Sequence, residues 1–225
     1  MSLPQTLIRF PEIHLEKRDA HKLRGYFGNL FKEHSPLLHN HFEDGSFRYK
    51  YPLVQYKVIK EVPLLVGLNE GAKLLTDLFL KIQELRINGH IYPLFQKNLD
   101  HFNIETGLSS SMHTYRFENL WMALNQENHK RYRQLSDRLE KQELLNGILR
   151  NNLLSFFKGV GIWLAGPLTA TGVFSEHSTQ FKDQPMLAFY GEFSVNATLP
   201  DLVGIGKAVS RGFGSILPVE AIIRS

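Results

Sequence analysis

The order in which strand-like and helix-like apolar patterns follow one another constrains this chain more than any single residue does. Residues 7–15 (LIRFPEIHL) mix apolar and polar positions as a strand does, with Pro11 at an edge or bulge. Asp19 stands at an N-cap position, and Leu23, Phe27, Leu30 and Phe31 give one apolar face to a predicted helix over 20–33. After a polar loop, residues 51–67 (YPLVQYKVIKEVPLLVG) predict two strands broken near Glu61 and Pro63. Asn69 predicts the cap of a second helix running to Glu84, with Leu74, Leu75, Leu78, Phe79 and Ile82 inward, and residues 89–104 return to strand. The sum is β-α-β-β-α-β, the ferredoxin-like pattern.

Residues 105–112 (ETGLSSSM) predict a linker, since glycine and three serines interrupt the apolar pattern. The order then partly repeats. A strand is predicted over 113–124, and a helical region over 125–158 with Leu139, Leu144, Leu145, Ile148 and Leu149 as its apolar side, weakened at Gly147 and at Asn151-Asn152. A hairpin of 169–182 and 185–196, a turn of helix at 199–203 and a last strand at 214–219 complete it. The expected architecture is therefore α+β: two tandem ferredoxin-like (βαββαβ) domains, residues 1–108 and 109–225, facing each other across a basic cleft. No residue-level repeat accompanies the repeated order.

Composition narrows the function classes. Of 225 residues, 43% are hydrophobic and 21% charged, enough apolar content for a core, which excludes disorder as the main state. The absence of cysteine excludes a disulfide framework, a thiolate metal site and a cysteine nucleophile. No apolar run reaches the roughly 18 residues of a membrane span, and residues 1–19 show no export signal, so a cytoplasmic location and no membrane partner are expected. The net charge of +4 is mild, but its distribution is uneven. Residues 47–60 hold Arg48, Lys50, Lys57 and Lys60 with no acid, interleaved with tyrosines. Such a strip is either a solvated basic face or a nucleic-acid surface, where cations meet phosphates and rings meet bases.

The densest motif is GIGKAVSRGFG, residues 204–214. Gly204, Gly206, Gly212 and Gly214 free the backbone for positive φ and for close approach to a ligand. Successive N–H groups of such a loop can cradle phosphates, with Lys207, Ser210 and Arg211 as further donors. A P-loop is excluded because Asp201 and Ala208 stand where glycine and Ser/Thr are required, and a dinucleotide fingerprint because Val209 stands where glycine is required.

This loop, just before a last strand and joined to two ferredoxin-like halves, resembles the glycine-rich loop of the repeat-associated RNA-binding proteins of CRISPR systems. Within that superfamily the chain resembles the endoribonucleases that cut precursor CRISPR RNA. The stretches GYFGNLF, LHNH and YPLVQYK are similar to a subtype-specific N-terminal domain of these nucleases. The resemblance implies that the loop (Gly204, Gly206, Lys207, Ser210, Arg211, Gly212, Gly214) touches RNA, and Arg48 and Lys50 of the basic strip are expected to add to that surface. It implies a catalytic histidine shortly after the first helix, where His39 and His41 stand. It also implies CRISPR repeat RNA as the partner, with effector-complex subunits or a second copy of the chain beside it, and no cofactor.

The chemistry such an enzyme needs is modest. RNA carries its own nucleophile, the 2′-hydroxyl. A base takes its proton, an acid protonates the leaving 5′-oxygen, and a cation stabilises charge on the phosphate. His39 or His41 would be base or acid, Tyr49 or Tyr51 would hydrogen-bond nearby, and Lys32 would lie on the phosphate. The products would be a 2′,3′-cyclic phosphate and a 5′-hydroxyl, with no metal. Two alternatives stay open. One is a binding subunit that only holds guide RNA. The other is a metal-dependent nuclease with the His39-x-His41 pair as ligands. Of the other histidines, His14, His90 and His113 fall in predicted strands, His101 has no partner in sequence, and His177 lies in the predicted hairpin. Phe189, Tyr190 and Phe193 read as core rather than as a stacking platform.

Overall fold

The computed structural model describes residues 1–31, 51–181 and 184–219, with side chains throughout except at Phe181. Lys32, His39, His41, Arg48, Tyr49 and Lys50 lie outside the described residues.

The N-terminal sheet has strands β1 (Ser2–Arg9), β2 (Val54–Ile59), β3 (Val62–Leu68) and β6 (Asn98–Glu105) in the order β2-β3-β1-β6, all antiparallel. Helices α1 (Ala20–Leu30) and α2 (Glu70–Leu78) cover one face, burying Leu23 and Phe27 of α1 and Leu75 and Leu78 of α2 against Val54, Tyr56 and Val58. This is ferredoxin-like order with one addition, a hairpin of β4 (Glu84–Ile87) and β5 (His90–Pro93) between α2 and β6.

The C-terminal sheet has β7 (Gly107–Phe117), β8 (Ala170–Phe181), β9 (Gln184–Thr198) and β10 (Ile216–Pro218) in the order β10-β7-β9-β8. Numbered within its own half this is 4-1-3-2, the same order as the first sheet. Helices α3 (Gln126–Gln134) and α4 (Arg138–Gly159) occupy the first crossover. The second crossover, between β9 and β10, has no α-helix and carries the glycine-rich loop instead.

Several local expectations are revised. The first strand starts five residues early and stops before Pro11, which has no N–H to continue a ladder. The second helix ends at Leu78, and a 3-10 turn (Phe79–Lys81) leads into β4, so Glu84 opens a strand instead of closing a helix. The halves join inside the 105–112 stretch, but with no loop there: the chain passes from β6 to β7 through Thr106 alone, and Gly107 and Leu108 already pair with Thr198 and Ala197 before a register shift to His113. The long helical region is two helices, because Asp137 caps α4 by accepting from the Glu140 N–H at 3.0 Å. Leu139, expected inward, is 73% exposed on its first turn. Residues 199–203 form a turn, not a helix.

Asn69 and Asp19 sit at their expected cap positions but are engaged elsewhere. Asn69 donates from Nδ2 to the Val160 carbonyl at the end of α4, 2.8 Å away. Asp19 accepts from the Glu16 N–H and from the Lys22 ammonium. Leu3 and Leu68 of the first sheet lie within the apolar cluster of the second half, and Leu7, Leu64 and Val66 meet Leu202.

Candidate nucleic-acid interface

The glycine-rich loop lies between the two sheets, and the residues beneath it come from β2. Side chains of a strand alternate between faces. Val54, Tyr56 and Val58 enter the N-terminal core, so Gln55 and Lys57 project from the opposite face, toward the loop. Gln55 accepts the Gly204 N–H at 2.9 Å and donates to the Tyr51 hydroxyl at 2.8 Å. Tyr51 in turn donates to the Gly204 carbonyl at 2.7 Å. Lys57, with no solvent exposure, donates to the Val209 carbonyl at 3.2 Å, and burial pushes its pKa down to about 7. Both backbone groups of Gly204 are thus clamped by the other domain.

Tyr51 is the one residue of the expected proton-transfer set within the described residues. Its ring packs edge-on to Phe156 at 5.4 Å and over Gly159, and burial raises its phenol above the usual range. The structure gives it a tether to make.

The glycines are required, though by close approach to protein. Gly206, Gly212 and Gly214 have φ of 103°, 95° and 66°. A Cβ at Gly206 would lie 2.6 Å from Trp121 Nε1, one at Gly212 2.5 Å from Ala20 Cβ, and one at Gly204 2.5 Å from Val209 Cβ. A Cβ at Gly214 would overlap the Ile205 carbonyl. Several loop N–H groups that a phosphate cradle would use are already donating: Gly204 to Gln55, Ile205 to Gly214, Lys207 to Met122, Arg211 to Ala208 and Gly214 to Leu120. Ser210 is buried. Lys207 is exposed and its ammonium rests on the Leu124 carbonyl at 3.2 Å. Arg211 is half-buried in the wall of a cleft.

That cleft, of about 480 Å³, opens between the domains. Lys17, Arg18 and His21 form its N-terminal-domain side, and Asn119, Tyr190 and Arg211 are prominent on the other. Lys17 donates to the Glu118 carbonyl at 3.0 Å and to the Tyr190 hydroxyl at 3.5 Å. The His21 Nδ1 lies 2.6 Å from the Arg18 carbonyl, which only accepts, so Nδ1 carries the hydrogen and Nε2 is left as the other ring site. Arg24, half-buried, has its pKa lowered by burial and by the like charge of Arg211. Of the β9 aromatics, Phe189 and Phe193 are core, while Tyr190 faces the cleft with the His177 ring edge-on at 5.0 Å.

Sequence reasoning missed Lys17, Arg18, His21 and Asn119. The one available signal was a Lys-Arg pair just ahead of a helix cap. Among the described residues, no group of three or more His, Asp or Glu is placed to hold a metal ion, and no helix is long and apolar enough to cross a membrane.

Comparison with known proteins agrees with this architecture. The family model of the Cas6b N-terminal domain matches residues 1–105, and that of the Cas6b C-terminal domain matches residues 107–219. A crystal structure of Cas6b is similar with a TM-score of 0.92 at 34% identity, covering 97% of this chain and 100% of that one. A crystal structure of the CRISPR RNA processing endoribonuclease Cas6b is similar with a TM-score of 0.79 at 31% identity, with the same coverage. An uncharacterised protein of Methanocaldococcus jannaschii is 34% identical over 145 residues, 64% of this chain and 98% of that protein. Its two ferredoxin-like halves, each matched by its own family model, make this chain a member of the Cas6b family.

Proposed function

We propose that the protein is an endoribonuclease that cleaves CRISPR repeat RNA to release guide RNAs. The observation that carries this reading is the extent of the likeness: both domains, over 97% of the chain, correspond to a Cas6b named for CRISPR RNA processing. The cationic cleft between those domains adds a surface suited to a polyanion.

The reaction is attack of the 2′-hydroxyl on its own phosphate. The O2′–P bond forms as the P–O5′ bond breaks, leaving a 2′,3′-cyclic phosphate and a 5′-hydroxyl. His39 or His41 takes or gives the proton, Tyr49 orients it and Lys32 balances phosphate charge. Tyr51, half-buried with its hydroxyl donating to the Gly204 carbonyl, holds the glycine-rich loop instead of the catalytic histidine. No metal is required, because nucleophile and leaving group need only proton transfer and charge stabilisation.

The test is single-turnover cleavage of repeat RNA with and without EDTA, using substrate that carries hydrogen for the 2′-hydroxyl at the cut site. Cleavage should persist in EDTA and stop with the deoxy substrate, while binding stays near wild type. His39→Ala or His41→Ala should slow the chemical step by roughly 10²–10⁴. EDTA sensitivity restored by Mg²⁺ would install the metal-dependent alternative, and failure of the wild type to cut would leave the binding-only one.

A further inference from the structure

We propose that α4 is a dimerisation helix. Two copies of the chain pack their α4 helices antiparallel about a two-fold axis beside Gly147, and Glu143 of each copy pairs with Arg150 of the other. This interface needs no RNA and uses none of the residues that line the cleft between the domains.

One face of α4 is uncovered. Leu139 is 73% and Leu154 42% exposed, and Glu143 and Arg150 are exposed between them. At about 100° of rotation per residue, Leu139, Glu143, Gly147, Arg150 and Leu154 fall within an arc of about 80°. A single exposed leucine is ordinary, but two at the ends of one stripe, with opposite charges and a glycine between them, make a surface.

The stripe borders a groove of about 470 Å³ between α3 and α4, walled by Arg131 of α3 and by Glu143, Leu144 and Gly147 of α4. Glycine is a poor residue for a helix interior. A Cβ at Gly147 would have nothing within 4 Å, so no neighbour in the chain requires the glycine. Bare backbone at that point does admit the close approach of a second helix.

Charge selects the occupant and its direction. Among the described residues neither Glu143 nor Arg150 is in an ion pair. No residue three or four places from either on α4 carries the opposite charge, so the helix does not neutralise them itself. Glu143 and Arg150 are equally far in sequence from the midpoint between Asn146 and Gly147, and so are Leu139 and Leu154. A second copy turned end for end about that midpoint sets Glu143 against the partner's Arg150 and Leu139 against the partner's Leu154, each contact made twice. Such self-complementarity is what a two-fold interface requires. A parallel pair would instead set glutamate on glutamate and arginine on arginine, and like-charge repulsion opposes it.

The experiment is sedimentation velocity on the full chain without RNA, up to about 100 µM, a range in which contacts at the small end of interface size still associate. Wild type should form a dimer. Glu143→Arg and Arg150→Glu each put like charges opposite one another and should weaken self-association by roughly 10–100-fold. An equimolar mixture of those two variants should associate to within about threefold of wild type, because every new charge then faces its opposite across the axis. Gly147→Leu fills the crossing point and should abolish the dimer, with a denaturation midpoint no lower than wild type showing that the fold is kept. A wild type that stays monomeric throughout overturns the interface. A dimer that none of the α4 variants weakens overturns it as well, since the contact then lies elsewhere. If the single variants are monomeric and their mixture does not associate, the pairing of Glu143 with Arg150 is overturned. Protein alone is measured, so these outcomes are independent of whether the wild type cuts repeat RNA.

Discussion

At Lys57 a whole lysine side chain is enclosed between β2 and the glycine loop, and burial holds its pKa down to about 7, against about 10.4 in an unfolded chain. Between those values the unfolded state binds the proton and the folded state does not, so stability should rise with pH from about 7 to about 10 and level off below about 7, where both states bind it. Lys57→Met should flatten that part of the curve, measured by guanidinium denaturation at a series of pH values. An unchanged rise in the variant would place its origin elsewhere. The glycines allow an equally direct check. Gly212→Val forces a β-branched residue to φ near 95° with its Cβ against Ala20, and should lower stability by about 2–5 kcal/mol. Gly147→Ala, in the interior of α4 with nothing within 4 Å of the new methyl, should raise it by about 0.5–1 kcal/mol. Both are read from denaturation midpoints at constant m-value. These roles were half legible: GIGKAVSRGFG announced positive φ, but that its glycines press on Trp121 and Ala20 depends on neighbours more than 80 residues away in the chain.

Strand β2 is the element that joins the halves. One of its faces is N-terminal core, and the other presents Gln55 and Lys57 to a loop some 150 residues later. Its sequence, VQYKVI, reads as a half-exposed alternating strand, and the polar alternate positions look solvent-facing. They are buried because a second domain covers them, which no local pattern reports. The role of Tyr51 can be separated from proton transfer at this scale. Tyr51→Phe leaves the Gly204 carbonyl and one Gln55 N–H without their partner, which should lower stability by about 1–3 kcal/mol and weaken RNA binding. The single-turnover rate at saturating RNA should change less than tenfold. A fall of a hundredfold or more with stability intact would return Tyr51 to the reacting groups. Residues 105–112 were misjudged for a related reason. Glycine and serine weaken a strand signal, yet Gly107 and Leu108 pair with Thr198 and Ala197 of β9, a ladder that propensity does not report.

For the whole molecule, the two sheets share one strand order, and their apolar clusters interlock through Leu3 and Leu68 on one side and Leu7, Leu64, Val66 and Leu202 on the other. With Asn69 tied to Val160 and Gly204 to Gln55, neither half is complete without the other, so the chain should unfold in one cooperative transition. Calorimetry in which the van't Hoff and calorimetric enthalpies agree would show this, and two resolved transitions would contradict it. The sequence by itself determined the repeated strand–helix order, the hairpin of β8 and β9 and the glycine loop before the last strand, because apolar period, turn residues and glycine density are local properties of the chain. Only the tertiary structure decided that this loop is clamped by β2, that Tyr190 leaves the core for a cleft, and that Lys17, Arg18 and His21 meet Arg211 across it. Those juxtapositions are set by how two sheets pack face to face, and packing joins residues whose separation in sequence carries no pattern.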